Sequence, residues 1–214
     1  VAEQDEQLEA FKRWWKKNWP SLALGIGLAL LIVAGWQYWQ NKQETDRAAA
    51  RQGFETMVGA LSNPDEEERR ATLEYALDAL KTEHRRSVYA VFSAMVAASY
   101  YMEEGEPEVA ATELKWALDN AKDDPLPLVI RERLARAQIT AGDEEAALAT
   151  IDAIDDKGKF EALFLELKGD IYRVRGDYAE ARQAYKAALD SLSEGQVDRL
   201  LELKIADLAV AEEG

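Results

Sequence analysis

Residues 22–36 read LALGIGLALLIVAGW, fifteen consecutive positions without a polar side chain. With Trp19, Pro20 and Ser21 before the run and Gln37, Tyr38 and Trp39 after it, the stretch reaches 21 residues. At about 1.5 Å per helical residue that is roughly 30 Å, the thickness of a bilayer's hydrocarbon core. Trp14, Trp15 and Trp19 stand on one side, and Trp36, Tyr38 and Trp39 close the other. Amphipathic rings are best placed at the two interfaces of a membrane. A buried core helix would explain the apolar run but neither the aromatics at both ends nor the basic cluster outside one. A cleaved signal peptide fits less well, because Val33-Ala34-Gly35 makes a poor cleavage site and the preceding segment is long and mixed in charge. The expectation is a spanning helix over 19–39, with Pro20 in its first turn, where a missing N–H costs nothing.

Lys12, Arg13, Lys16 and Lys17 lie just before the span, while Lys42, Arg47 and Arg51 after it are diluted by Glu44 and Asp46. The positive-inside rule then puts residues 1–18 in the cytoplasm and the rest outside it, in the periplasm of a Gram-negative cell. Leu8, Phe11, Trp14 and Trp15 recur at spacings of three and four, as in an amphipathic helix lying at the inner face. Within the span, Ser21, Gly25 and Ala29 form a line of small residues, with Ala23 and Gly27 beside it, which permits close helix contact in lipid.

The formal charge of −15 is carried entirely by residues 48–214, which hold 20 basic and 35 acidic side chains. An acidic body argues against nucleic-acid binding, which needs clustered Lys and Arg. With no cysteine and His84 as the only histidine, thiol nucleophiles, thiolate metal sites and histidine-containing triads are excluded within the chain. Asp65-Glu66-Glu67-Glu68 reads as a polar helix start rather than a metal site, since acids favour the positive end of a helix dipole. His84, beside Arg85 and Arg86, reads as exposed or capping. No carboxylate pair stands in an apolar setting that would raise a pKa. The expectation is no enzyme, no metal and no cofactor.

After a short linker at 40–47, residues 48–210 are rich in Ala, Leu, Glu, Arg and Lys, which favours helices. Breaks fall at Ser62-Asn63-Pro64, Gly105-Glu106-Pro107, Asp123-Asp124-Pro125, Gly142-Asp143, Lys157-Gly158, Gly176-Asp177 and Ser193-Glu194-Gly195. Gly142-Asp143 and Gly176-Asp177 are 34 residues apart, and their surroundings align: Ala135 with Gly169, Ala147 with Ala181, Ile151 with Tyr185. Gly105-Glu106 precedes Gly142-Asp143 by 37 residues, which places Ala98, Ala110 and Leu114 in the same register. Two helices and a tight turn at a period near 34 make the tetratricopeptide signature. The fold class expected is therefore all-α: one N-terminal transmembrane helix followed by a tetratricopeptide-like α-solenoid. Helices at 48–61 and 66–81 would be a degenerate first pair. Residues 195–210 would form a cap packing through Val197, Leu200, Leu201, Leu203, Ile205 and Leu208, for nine helices beyond the membrane.

In such a stack the first helices of successive pairs line one side. The candidate groove residues are Phe92, Met95, Ser99 and Met102 in one repeat, then Val129, Glu132, Arg136 and Ile139. In the third repeat they are Leu163, Glu166, Asp170 and Arg173. Apolar and charged groups mix, as suits a surface receiving an extended segment or a helix. Arg136 and Arg173 stand out because their charge has no core explanation.

The order of parts resembles the YfgM family of bacterial inner-membrane proteins over nearly the whole chain. The resemblance is carried by Phe11-Lys12-Arg13-Trp14, by the Gly-rich span ending Gly35-Trp36-Gln37-Tyr38-Trp39, and by the repeat domain. Within that domain Leu134-Ala135-Arg136-Ala137-Gln138, Leu167-Lys168-Gly169-Asp170, Gly176-Asp177 and Ala181-Arg182 match the family's pattern. The resemblance implies an ancillary subunit of the SecYEG translocon, working with the membrane-anchored periplasmic chaperone PpiD near emerging secretory or outer-membrane proteins. It also implies a link to an envelope stress-response regulator. The alternative class is a structural scaffold or regulator of another envelope complex. Replacing Gly25 and Gly27 with leucine is expected to weaken copurification with a membrane partner; unchanged recovery would retire the helix contact.

Overall fold

The computed structural model describes residues 2–122, 125–192 and 198–211. Among these the chain is all-helical, with nine α-helices and a 3-10 turn at Gly158–Phe160. It divides into two units, Val1–Ala49 and Ala50–Gly214.

Helix α1, Ala2–Ala60, carries the first unit. Its apolar run is bare of protein contact: Leu24 is 75% exposed and Leu31 71%. The window is long and apolar enough to cross a membrane, and none of it is buried inside the protein. Apolar side chains left uncovered over such a length call for lipid rather than water. Interfacial aromatics pack in tilted pairs at each end, Trp15 against Trp19 with centroids 5.6 Å apart and Trp36 against Trp39 at 5.4 Å.

Two local expectations change. Pro20 lies inside α1 rather than in its first turn. Residues 2–18 hold no glycine or proline to stop the helix, so it starts earlier, and the Lys16 carbonyl loses its usual amide partner. The stretch 40–47, expected as a linker, is helical throughout. It too lacks a breaker, and its Gln, Lys, Glu and Arg form helices readily.

In the second unit the end of α1 meets α2 (Glu66–Glu83) where Gly53 lies against the Leu80 side chain, and α3 (Val88–Glu103) pairs with α4 (Pro107–Asn120). Next come α5 (Leu126–Thr140) with α6 (Glu144–Asp152), α7 (Glu161–Arg175) with α8 (Tyr178–Asp190), and then α9 (Arg199–Ala211). Three hairpin pairs and the cap follow the repeat period, but the helix expected separately over 48–61 is the end of α1, so among the described residues eight α-helices, not nine, follow the one that carries the span. Val197, the Ser193-Glu194-Gly195 break and Asp123-Asp124 lie outside the described residues. Asp65 caps α2, its carboxylate accepting from the Glu68 amide at 3.0 Å, and His84 is that helix's C-cap.

Three of the turns between helices are copies of one device. Gly105, Gly142 and Gly176 have φ of 78°, 76° and 83°, the left-handed conformation that glycine adopts without a Cβ clash. The next residue's amide reaches back five positions in each: Glu106 to Tyr101 O at 2.7 Å, Asp143 to Gln138 O and Asp177 to Tyr172 O at 2.9 Å. This closes the first helix and reverses the chain into the second. The carbonyls of Glu106, Asp143 and Asp177 then accept from Ala110, Ala147 and Ala181, starting the second helix at the same register. Those three alanines are fully buried.

Small residues mark the crossing within each pair, and large ones fill between pairs. A Cβ added at Gly169 would stand 2.4 Å from the Tyr185 ring, so the ring occupies the space a side chain would take. Tyr185, Phe164, Met57 and Leu114 are buried fillers in clusters that run from one pair to the next. The cap departs from expectation. Leu201 and Leu208 are buried and Ile205 packs beside them, but Leu200 and Leu203 are 61% and 60% exposed. Among the described residues, a terminal helix has neighbours on one side alone, so its second apolar stripe finds no cover.

Gly169→Ala is expected to cost about 2–3 kcal/mol by driving the Tyr185 ring out of place. The measurement is the thermal midpoint of the full chain in detergent, which should fall by about 5 °C or more. An unchanged midpoint would mean that helix and ring are not in contact.

Candidate functional site

Helices α3, α5, α7 and α9 are the leading helices of the successive pairs, and the period aligns their faces. Ser99, Arg136, Asp170 and Lys204 occupy one register, 37, 34 and 34 residues apart. Phe92, Val129 and Leu163 occupy another.

On α3 the inward stripe is Ala94, Met95, Ala98, Tyr101 and Met102. Met95 is only 6% exposed and belongs to the core cluster around α3, and Met102 packs against the same cluster. The stripe that faces outward holds Phe92, Val96, Ser99 and Glu103, spaced four, three and four apart. Phe92 is 37% exposed, and Ser99 is exposed with its hydroxyl donating to Met95 O at 3.2 Å. Reading Ala94 and Ala98 as crossing residues would have turned Met95 inward and brought Val96 and Glu103 to the surface.

On α5, Val129 and Ile139 are half-buried and pack against the clusters on either side. Glu132 accepts a hydrogen bond from Arg136 one turn on, and Arg136 keeps about half of its side chain in solvent. The pair offers both signs of charge at one exposed point.

On α7, Leu163 is half-buried and Arg173 exposed. Glu166 and Asp170 face the cap, and each accepts from Lys204 Nζ at 2.7 Å. Asp170 also accepts from the Tyr185 hydroxyl at 2.7 Å, and Lys204 stands over the Tyr185 ring at 5.4 Å. Burial pushes the Tyr185 hydroxyl well above its ordinary pKa, Asp170 adds to that, and Arg173 opposes it. Burial pulls the Lys204 ammonium down, but the hydrogen bonds and charges of Asp170 and Glu166 outweigh it, and the net shift is upward. The structure therefore gathers Asp170 and Arg173 around Tyr185, and employs Glu166 and Asp170 in fixing α9 through Lys204. Lys204, on the cap and read there only for its apolar neighbours, is the partner missing from the sequence reading.

Similar contacts join earlier pairs. Arg70 donates to both Glu106 oxygens at 2.6 and 3.0 Å and to Glu74 at 2.9 Å. Lys81 reaches both oxygens of Glu113, at 2.9 and 2.8 Å, over the Trp116 ring at 5.1 Å. Among the described residues no group of three or more metal-ligating side chains comes together.

Stacked hairpins with mixed apolar and charged leading faces, carried on a helix fit to cross a membrane, define a membrane-anchored repeat adaptor. The family described as tetratricopeptide repeat-like domain matches residues 12–210, and the chain belongs to it. The chain is similar to the ancillary SecYEG translocon subunit of Escherichia coli (strain K12), 28% identical over 207 residues that cover 97% of each chain. The protein of the same name in Haemophilus influenzae is 27% identical over 90% of this chain and 91% of its own. That of Neisseria gonorrhoeae is 27% identical over 96% and 97%.

Lys204→Met is expected to cost about 2 kcal/mol near pH 8, the scale of a half-buried charged hydrogen bond. Because the folded pKa is raised, that contribution is complete below the ordinary lysine value of about 10.4 and is lost as pH climbs through the raised value. Urea midpoints of the two proteins should therefore converge above that point; a gap that stayed constant to higher pH would assign it to packing instead.

Proposed function

We propose that this chain is an ancillary subunit of a SecYEG translocon in a bacterial inner membrane, its repeat domain docking a PpiD-like periplasmic chaperone or emerging clients. The observation that carries the reading is similarity along almost the full length of proteins that bear that name, anchor stretch and repeats together. The basic residues Lys12, Arg13, Lys16 and Lys17 favour a cytoplasmic N-terminus and a periplasmic repeat domain.

The division of labour follows from the two units. The apolar stretch of α1 holds the domain in the plane where the channel lies, and Ser21, Gly25, Gly27 and Ala29 offer a surface for helix contact there. The domain offers Phe92, Val129 and Leu163 as apolar footholds along its leading helices, with Glu132, Arg136 and Arg173 as charged ones. Tethering raises the effective concentration of the two partners, so modest contacts at each foothold suffice for occupancy.

Photo-crosslinkers placed in intact cells test both halves. From Gly25 the expected adducts are translocon subunits; from Arg136 and Arg173 they are a periplasmic chaperone or chains in transit. Protease added to spheroplasts should digest residues 48–214. A protected domain beside a digested periplasmic control, or adducts with an unrelated envelope complex from both positions, would overturn the assignment.

A further inference from the structure

The turn between α1 and α2 is firmly tied, with Asn63 accepting from the Asp65 amide at 3.0 Å and Arg69 donating to Asn63 O at 3.0 Å. Between this turn and the outward stripe of α3 lies a cleft of about 390 Å³. Leu61, Val96 and Tyr100 make its apolar walls, and Arg69, Ser99, Glu103 and Glu104 are its other lining residues.

Two groups in it have no partner among the described residues. Tyr100 is 5% exposed, and its hydroxyl is buried without a hydrogen bond. Its neighbour in sequence, Tyr101, has one, to Glu74 at 3.4 Å. A buried hydroxyl left unpaired is costly, and native proteins rarely retain one without a use. Glu103 is exposed, and its carboxylate makes no ion pair or hydrogen bond among the described residues. The remaining groups are engaged: Ser99 with its own helix, and Arg69 with Asn63 and, at 3.9 Å, with Glu104. One cation against two carboxylates leaves the cleft negative, and the surrounding body carries an acidic excess of the same sign.

We propose that this cleft receives a lysine or arginine side chain from an extended segment of a partner protein. The methylene stem lies along Leu61, Val96 and the Tyr100 ring, as long basic side chains do on apolar surface. The charged head pairs with Glu103 and competes with Arg69 for Glu104, whose present contact is long. A shift of Arg69 opens the way to the Tyr100 hydroxyl, which accepts a hydrogen bond from the head. An acidic side chain would meet two carboxylates and be refused. The inference rests on the reading that the domain docks protein segments, and it specifies the chemistry of one contact.

Three dansylated heptapeptides, alanine throughout except for a central lysine, glutamine or glutamate, are titrated with the full chain in nonionic detergent and followed by anisotropy. The lysine peptide should bind at least about fivefold more tightly than the glutamine peptide, and the glutamate peptide weakest of all. Glu103→Gln should weaken lysine-peptide binding about fivefold and Tyr100→Phe about threefold, with thermal midpoints retained because neither residue bonds within the fold. Equal binding of the three peptides, preference for glutamate, or no saturable binding of the lysine peptide overturns the proposal, and these readouts need no variant to fold. So does lysine-peptide binding that Glu103→Gln leaves untouched. Crosslinks from Gly25 to translocon subunits do not involve the cleft, so their survival alongside a failed titration sinks this contact alone.

Discussion

Two antiparallel helices can bring their backbones together only where almost nothing stands between them. The repeat domain depends on that condition being met once per pair. Ala98 with Ala110, Ala135 with Ala147, and Gly169 with Ala181 supply it at the same register, and the alanines among them are at most 1% exposed. At Gly169 the missing side chain instead makes room for the ring of Tyr185, which lies where its Cβ would be. Close crossing within a pair leaves a wider gap toward the next, which Phe164, Leu167 and Ile171 fill in one cluster and Tyr185 and Leu201 in the following one. Because each filler needs the neighbouring pair for its cover, no hairpin is stable by itself, and the stack becomes the folding unit.

Charge joins the pairs where the fillers end. Arg70 to Glu106, Lys81 to Glu113, Lys168 to Asp152 and Lys204 to Glu166 and Asp170 all bridge helices of successive pairs. Their side chains are mostly half-buried, and all four cations also lie over aromatic rings, at Tyr101, Trp116, Tyr172 and Tyr185. Partial burial matters because a fully exposed pair contributes little, whereas one flanked by a ring is less screened. The hydrogen bond to Asp152 holds the Lys168 ammonium above its usual range, and the one to Arg70 holds the Glu106 carboxyl below its own. Burial, reinforced by Glu74 and Glu113, raises Tyr101 to about 12. A domain with so large an acidic excess would otherwise repel itself, and placing its cations at the seams offsets that where the pairs meet.

What was legible in the sequence is local. A glycine that must adopt positive φ, followed by an acid and then alanine at fixed offsets, can be counted along the chain, and it located the turns at Gly105, Gly142 and Gly176. The choice between Met95 and Val96 was not legible from apolarity, because both residues suit either stripe and the stripes are one residue apart. The bridge from Lys204 to Asp170 spans 34 residues, one repeat period, but Ser99 and Arg136 hold the same register without such a bridge, so the period alone does not single it out. Pro20 and the 40–47 stretch misled for the opposite reason. A proline suits the first turn of a helix and a polar stretch suits a linker, yet neither a start nor a stop is written there.

The acids of this domain sort by what they already do. Asp65 and Asp143 cap helices, each accepting from an amide at 3.0 Å. Glu106, Glu113, Asp152, Glu166 and Asp170 hold cations of adjoining pairs. Glu103 does neither, and it shares its stripe of α3 with Phe92, an apolar ring more than a third exposed. A group that serves no internal contact can change its binding chemistry without cost to the stack, whereas Asp170 cannot, being committed to Lys204 and Tyr185. Residues that decide which partner is held are therefore to be sought among the uncommitted ones, on the outward stripe of α3 and at the solvent side of Arg136. The seams can then stay fixed while the surface between them is free to specialise.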